Sequence, residues 1–203
     1  MKMRTEARRV AIIEAAASVF LEMGYERASM NEVSKRCGGS KTTLYGYFPS
    51  KEELFGAVVR VYATAHLSDA VADLVQDSDR SLAQVLSRFG ERMLMVLTND
   101  GTALAVYRMV IAEAGRSEIG HLFYESGPSE CVNRLATLMA EAMQQGTLRQ
   151  ADPHLCAQQF LALLTAENDA RVFQQAPAPL DLLQVQGMVE RAVDMFLMGA
   201  KPR

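Results

Sequence analysis

Cysteine, proline and glycine are all scarce in this chain of 203 residues, at three, six and thirteen. Cys37, Cys131 and Cys156 are odd in number and far apart, so neither a disulfide framework nor a metal-ligand spacing appears, and this usage fits a reducing cytoplasm. So few helix breakers favour helix almost throughout. No run alternates apolar and polar residues with a period of two, so strands are not expected. There is no tryptophan, and no apolar run is both long and uncharged. Near the N-terminus, Lys2, Arg4, Glu6, Arg8 and Arg9 precede an apolar stretch that Glu14 cuts, which is neither a signal peptide nor a membrane span. His66, His121 and His154 are too scattered for a metal site. No serine–histidine–aspartate order, phosphate-binding glycine loop or pair of catalytic carboxylates is present, so neither an enzyme nor a cofactor is expected.

What is present is a soluble globular composition, 49% hydrophobic and 22% charged. The net charge of -3 is unevenly divided: residues 1–60 hold ten Lys/Arg against seven Asp/Glu, and residues 61–203 hold eleven against seventeen. The basic excess lies in the N-terminal part, as expected of a DNA-facing module in an acidic body.

That part contains three helix-start signals. Ser29 with Glu32, and Ser50 with Glu53, fit the capping box, in which hydroxyl and carboxylate satisfy orphan amides reciprocally. Ser40 is placed to cap a helix beginning at Lys41, and Cys37-Gly38-Gly39 ends the helix before it. The result is a short helix, a tight turn and a second short helix. In the second, Leu44 and Phe48 are four apart and face inward together. Lys41, Thr42 and Thr43 fill its first turn, with donors suited to base edges and phosphates.

Elsewhere, helical periodicity predicts a helix over residues 4–23 with a stripe of Val10, Ile13, Ala17, Phe20 and Leu21. A long helix follows over 50–74, with Leu54, Val58, Val61 and Ala65 on one face, and a polar break at 76–80. Further helices are expected at 81–98, 103–114, 118–125, 129–145, 153–173 and 181–198, with Asp152-Pro153 a strong start signal. The chain reads as all-α, with residues 1–49 a helix-turn-helix domain and 50–203 a second helical domain joined to it through helix 50–74.

Thr42-Thr-Leu-Tyr-Gly-Tyr-Phe48, then Ser50-Lys-Glu-Glu-Leu54, resembles the DNA-binding domain of the TetR family of bacterial repressors over about residues 8–59. Gly39 departs from the pattern, because similar sequences often carry an apolar residue there, and a looser turn is the expectation. The resemblance implies a three-helix DNA-binding domain plus a C-terminal helical bundle for ligand binding and dimerisation. It implies DNA contacts by Ser40, Lys41, Thr42, Thr43, Tyr45, Tyr47 and Lys51. Lys51 sits in a helix's first turn, where the dipole disfavours a cation, and a phosphate partner would explain it. The family's effector pocket would draw on Met93, Arg108, Met109, Glu113, Phe123, Met139, Phe160 and Glu167, the last placed in register with Cys156, Phe160 and Leu163. By the same resemblance the last two long helices meet a second copy through Phe160, Leu164, Val185, Val189, Val193 and Phe196. The implied protein is a cytoplasmic homodimeric repressor on a palindromic double-stranded DNA operator, released by a small, largely apolar effector, with no membrane partner. Two rivals are a protein of the same fold without a small ligand, and a helical carrier or enzyme with a vestigial helix-turn-helix.

Overall fold

Four side-chain oxygens start the four helices that open the chain. Thr5 accepts from the Arg8 amide before α1 (Glu6–Met23), and Ser29 accepts from the Glu32 amide before α2 (Met30–Arg36). Ser40 accepts from the Thr43 amide before α3 (Lys41–Tyr47), and Ser50 from the Glu53 amide before α4 (Lys51–Val59). Each satisfies one of the amide donors that a helix start leaves without a partner. The computed structural model describes residues 5–65, 67, 70, 71 and 80–202. Later helices are α5 (Leu82–Asn99), α6 (Gly101–Ala114), α7 (Ile119–Glu125), α8 (Pro128–Gln144), α9 (Pro153–Thr165) and α10 (Leu182–Ala200). A 3-10 turn, Asp169–Phe173, lies between α9 and α10. Ser81 with Gln84 and Asp181 with Gln184 close full capping boxes at α5 and α10, and Asp152 with Pro153 opens α9. Among the described residues there is no strand, and the fold is all-α.

The chain forms two compact units. One takes in the chain up to Thr64 together with Ala105–Ser126, and the other Ala65–Leu104 with Gly127–Arg203. The expected boundary at residue 49 differs from this grouping. Apolar side chains of α4 pack with α1, and the later part of α6 and α7 close the same core through Val106, Val110 and Ile119. An aromatic cluster sits at its centre: Phe55 packs edge-on to Phe20 and to Tyr25, with ring centroids 5.3 and 5.0 Å away. The second unit buries Phe89, Leu94, Leu135, Met139, Phe160 and Val185 between α5, α8, α9 and α10.

Several expectations need correcting. On α1, Ile12, Ala16 and Val19 are buried beside Ile13, Ala17 and Phe20, whereas Val10 and Leu21 are exposed. α4 does not continue as a regular α-helix. Residues Arg60–Thr64 form a π-helical turn, whose wider spacing breaks the expected stripe and leaves Val61 48% exposed. Of helix 50–74, residues 66, 68, 69 and 72–74 lie outside the described residues, as do 76–79 of the polar break. α9 stops at Thr165 instead of Phe173. There the Thr165 hydroxyl donates back to the Leu161 carbonyl, and the polar Glu167-Asn168-Asp169 follows.

Candidate nucleic-acid interface

The turn 37–40 between α2 and α3 is held by one buried serine. Ser34 Oγ donates to the Gly39 carbonyl at 2.8 Å, while the Gly39 amide donates to the Ser34 carbonyl at 3.2 Å. Gly38 takes the left-handed conformation the turn requires, with φ +64°. The expected looseness at Gly39 is therefore absent. Ser34 carried no signal in the sequence beyond lying one turn before the glycines.

α3 presents a buried side and an exposed side. Leu44 and the following Phe48 are 1% and 4% exposed and anchor it in the core. Ser40, Lys41, Thr42, Thr43 and Tyr45 are exposed. Ser40 Oγ and Thr43 Oγ1 lie 2.9 Å apart in a mutual hydrogen bond, so two hydroxyls of this surface are oriented before any partner arrives. Tyr47 is half-buried, and its hydroxyl accepts from the Thr5 amide at 2.8 Å, tying the start of α1 to the end of α3.

Lys51 has an occupation that the sequence reading missed. Its ammonium donates to the Tyr25, Glu26 and Ala28 carbonyls at 3.0, 3.4 and 3.3 Å and lies 4.2 Å from the centre of the Tyr25 ring. Carbonyl oxygens of the α1–α2 connection and an aromatic face offset the unfavourable helix dipole. The charge thus has internal partners that account for its place in the first turn without a phosphate. The Tyr25 hydroxyl in turn donates to Glu52 at 3.1 Å, and burial, with Glu52 beside it, raises the phenol above its ordinary range.

A second tie holds α2 to α1. Arg36 donates through two nitrogens to the two Glu22 oxygens, each at 2.7 Å, and to Ser18 at 2.7 Å. The Arg36 hydrogen bond, with one from Ser18, lowers the Glu22 carboxyl to about 2.

The effector candidates divide between the two units. Met93, Met139 and Phe160 are buried in the core of the second unit. Met109 and Phe123 pack half-buried against the core of the first, where Arg108 and Glu113 are also half-buried on α6. Glu113 Oε2 is buried with no hydrogen-bond partner. Glu167 does not join either group. It lies beyond the end of α9, on the surface, where Arg191 of α10 donates to it at 2.7 and 2.8 Å. That pairing lowers its carboxyl pKa.

The expected dimer residues face the wrong way for contact. Phe160, Leu164, Val185, Val189, Val193 and Phe196 are between 0% and 5% exposed, because they form the chain's own core. The outward sides of α9 and α10 carry other apolar groups: Leu155, Met195 and Met198 are 51%, 65% and 79% exposed. A groove of about 440 Å³ lies beside them, lined in part by Leu148, Cys156, Gln159, Leu163 and Met195. Among the described residues no cluster of His, Cys, Asp or Glu could hold a metal ion, and no helix is long and apolar enough to cross a membrane.

Two short helices joined by a pinned turn, the second offering a polar outward side over a buried anchor, define a helix-turn-helix DNA-binding regulator. The chain belongs to the TetR family: residues 12–58 match the bacterial regulatory proteins of the tetR family, and residues 84–199 match the AefR-like transcriptional repressor C-terminal domain. It is similar throughout to a TetR-family transcriptional regulator of Mesorhizobium loti, with TM-score 0.81, 25% identity, and 99% of this chain and 100% of that one covered. A second structure, the flavonoid-responsive regulator FrrA, gives TM-score 0.79 and 32% identity over 98% of this chain and 100% of that one. The A-factor receptor protein of Streptomyces griseus is 32% identical over 100 residues, which is 49% of this chain and a third (33%) of that protein's length. The family and its relatives are transcriptional regulators, not enzymes.

Proposed function

We propose that the protein is a homodimeric repressor that binds a palindromic operator and is released by a small, largely apolar effector. The observation that carries this reading is the exposed side of α3, where Lys41, Thr42, Thr43 and Tyr45 stand outward over a buried Leu44. Lys41 and Tyr45 would hold phosphates, and Thr42 and Thr43, with Ser40 orienting the latter, would meet base edges. Two copies of α3 would enter successive major grooves roughly 34 Å apart. The match to a repressor C-terminal domain supports repression.

The second copy would cover the outward sides of α9 and α10, where Leu155, Met195 and Met198 leave apolar surface in water. Effector binding is supported by the identity to a regulator described as flavonoid-responsive, and by Glu113, whose buried oxygen lacks a donor one turn after Met109 on α6. An effector releases DNA only if it binds the DNA-incompetent dimer more tightly than the competent one.

Selection of bound fragments from genomic DNA by the purified protein tests the reading. A recovered palindrome whose affinity falls on Thr43→Ala more than that of unrelated DNA supports base reading by α3. Equal, sequence-blind binding to every fragment would overturn it.

A further inference from the structure

Arg8 sits in the first turn of α1, and its guanidinium lies against the α2–α3 turn. A Cβ built on Gly39 would fall on the Arg8 Nη2, so the missing side chain at 39 is the notch in which the guanidinium rests. Its one side-chain hydrogen bond among the described residues goes to Cys37 Sγ at 3.7 Å, a weak acceptor. The other described cations of α1, α2 and their connection are engaged. Arg9 pairs with Glu6, Arg27 donates to the Met23 carbonyl, Lys35 pairs with Glu32, and Arg36 with Glu22. Arg8 pairs with no carboxylate among the described residues, although a guanidinium carries five donors.

Its place relative to α3 is fixed from both ends. The Thr5 amide meets the Tyr47 hydroxyl at the end of α3, and Arg8 meets Gly39 just before its start. The first turn of α1 therefore runs alongside α3, and the Arg8 charge is held two residues ahead of Lys41. A half-buried guanidinium with unused planar donors is suited to a phosphate oxygen pair.

We propose that Arg8, lodged in the notch at Gly39, is a backbone-phosphate contact of the DNA-binding surface, and that the absence of a side chain at position 39 positions it. This rests on the reading that α3 faces DNA. Gly39 has no positive φ, so alanine is conformationally acceptable there, and what it displaces is the flexible end of Arg8.

The test is a double-mutant cycle on the full chain, titrated with a mixed-sequence DNA duplex by fluorescence anisotropy at several salt concentrations. Arg8→Ala should weaken binding and reduce the slope of log affinity against log salt by about one, the signature of one lost phosphate contact. Gly39→Ala should act in the same direction, and the double variant should be no worse than Arg8→Ala alone. Arg8→Lys should restore part of the slope. An unchanged slope in Arg8→Ala, even with weaker binding or a lower melting temperature, would overturn the phosphate role. Additive losses in the double variant would overturn the positioning by Gly39. Lys41→Ala separates the two readings. If it weakens binding while Arg8→Ala does not, only Arg8 is misassigned; if neither matters, α3 does not face DNA.

Discussion

The two units are held together by different means. In the first, helices of seven to nine residues are fixed by named polar contacts: Ser34 on the turn, Arg36 on Glu22, and Lys51 on carbonyls. Its outward α3 side is polar. In the second, helices of 13 to 19 residues pack by apolar side chains, and the outward sides of α9 and α10 keep Leu155, Met195 and Met198 exposed among polar residues. Isolated helices of seven residues are unstable in water, so each short one must be specified by its neighbours. Long amphipathic helices need only a stripe. Both units share a buried apolar core, but in the first the short helices also need individual bonds to fix their position.

The contrast can be broken most sharply in the second unit. Phe160→Ala removes a fully buried ring and should cost about 3–5 kcal/mol. Met195→Asp, on the outward side, should leave the melting temperature within a few degrees and, on the proposed dimer, should shift the protein to monomer. Thermal melts beside sedimentation velocity check both; a melting loss in Met195→Asp equal to that in Phe160→Ala would erase the distinction between inner and outer face.

In the first unit, Lys51→Met should destabilise by about 1–3 kcal/mol, because it leaves the carbonyls of a partly buried loop without their donor. The salt slope of DNA binding should stay as in the parent. A slope reduced by about one in a normally stable variant would return Lys51 to the phosphate-binding residues.

The smallest effect concerns the Glu22–Arg36 tie. Because the folded state holds the Glu22 carboxyl at about 2 against 4.5 in the unfolded chain, its stabilisation is fully present above pH 4.5 and is lost as pH falls through about 2. Glu22→Gln should flatten the acid limb of the stability curve in that window, measured by urea titration at successive pH values. An unaltered acid limb would remove this tie from the account.

The same division governs what could be read from residues alone. Helix starts at Ser29, Ser40, Ser50, Asp152 and Asp181 rest on a side chain bonding an amide two or three residues ahead, so the code and its effect share one window. The inward pair Leu44 and Phe48 was legible for the same reason. The faces of long helices were not. Periodicity places Leu182, Val185, Val189, Val193 and Phe196 on one stripe, but a stripe does not say whether it meets the chain's own core or a second copy. Here all but the exposed Leu182 meet the core. Glu167 was misread because its register assumed a helix that ends two residues earlier. The internal acceptors of Lys51 lie 23 to 26 residues back in the chain and the Arg36–Glu22 pair is 14 apart, so neither left a local trace.

A backbone loop that turns three carbonyl oxygens toward one point is the arrangement by which proteins capture a metal cation from solution. At the α1–α2 connection the chain supplies that cation itself, covalently tethered at Lys51. Its occupancy does not depend on the ions in the medium. Raising salt should therefore loosen DNA while leaving the scaffold beneath α3 in place, so that a salt titration of binding reports on the interface and not on the fold.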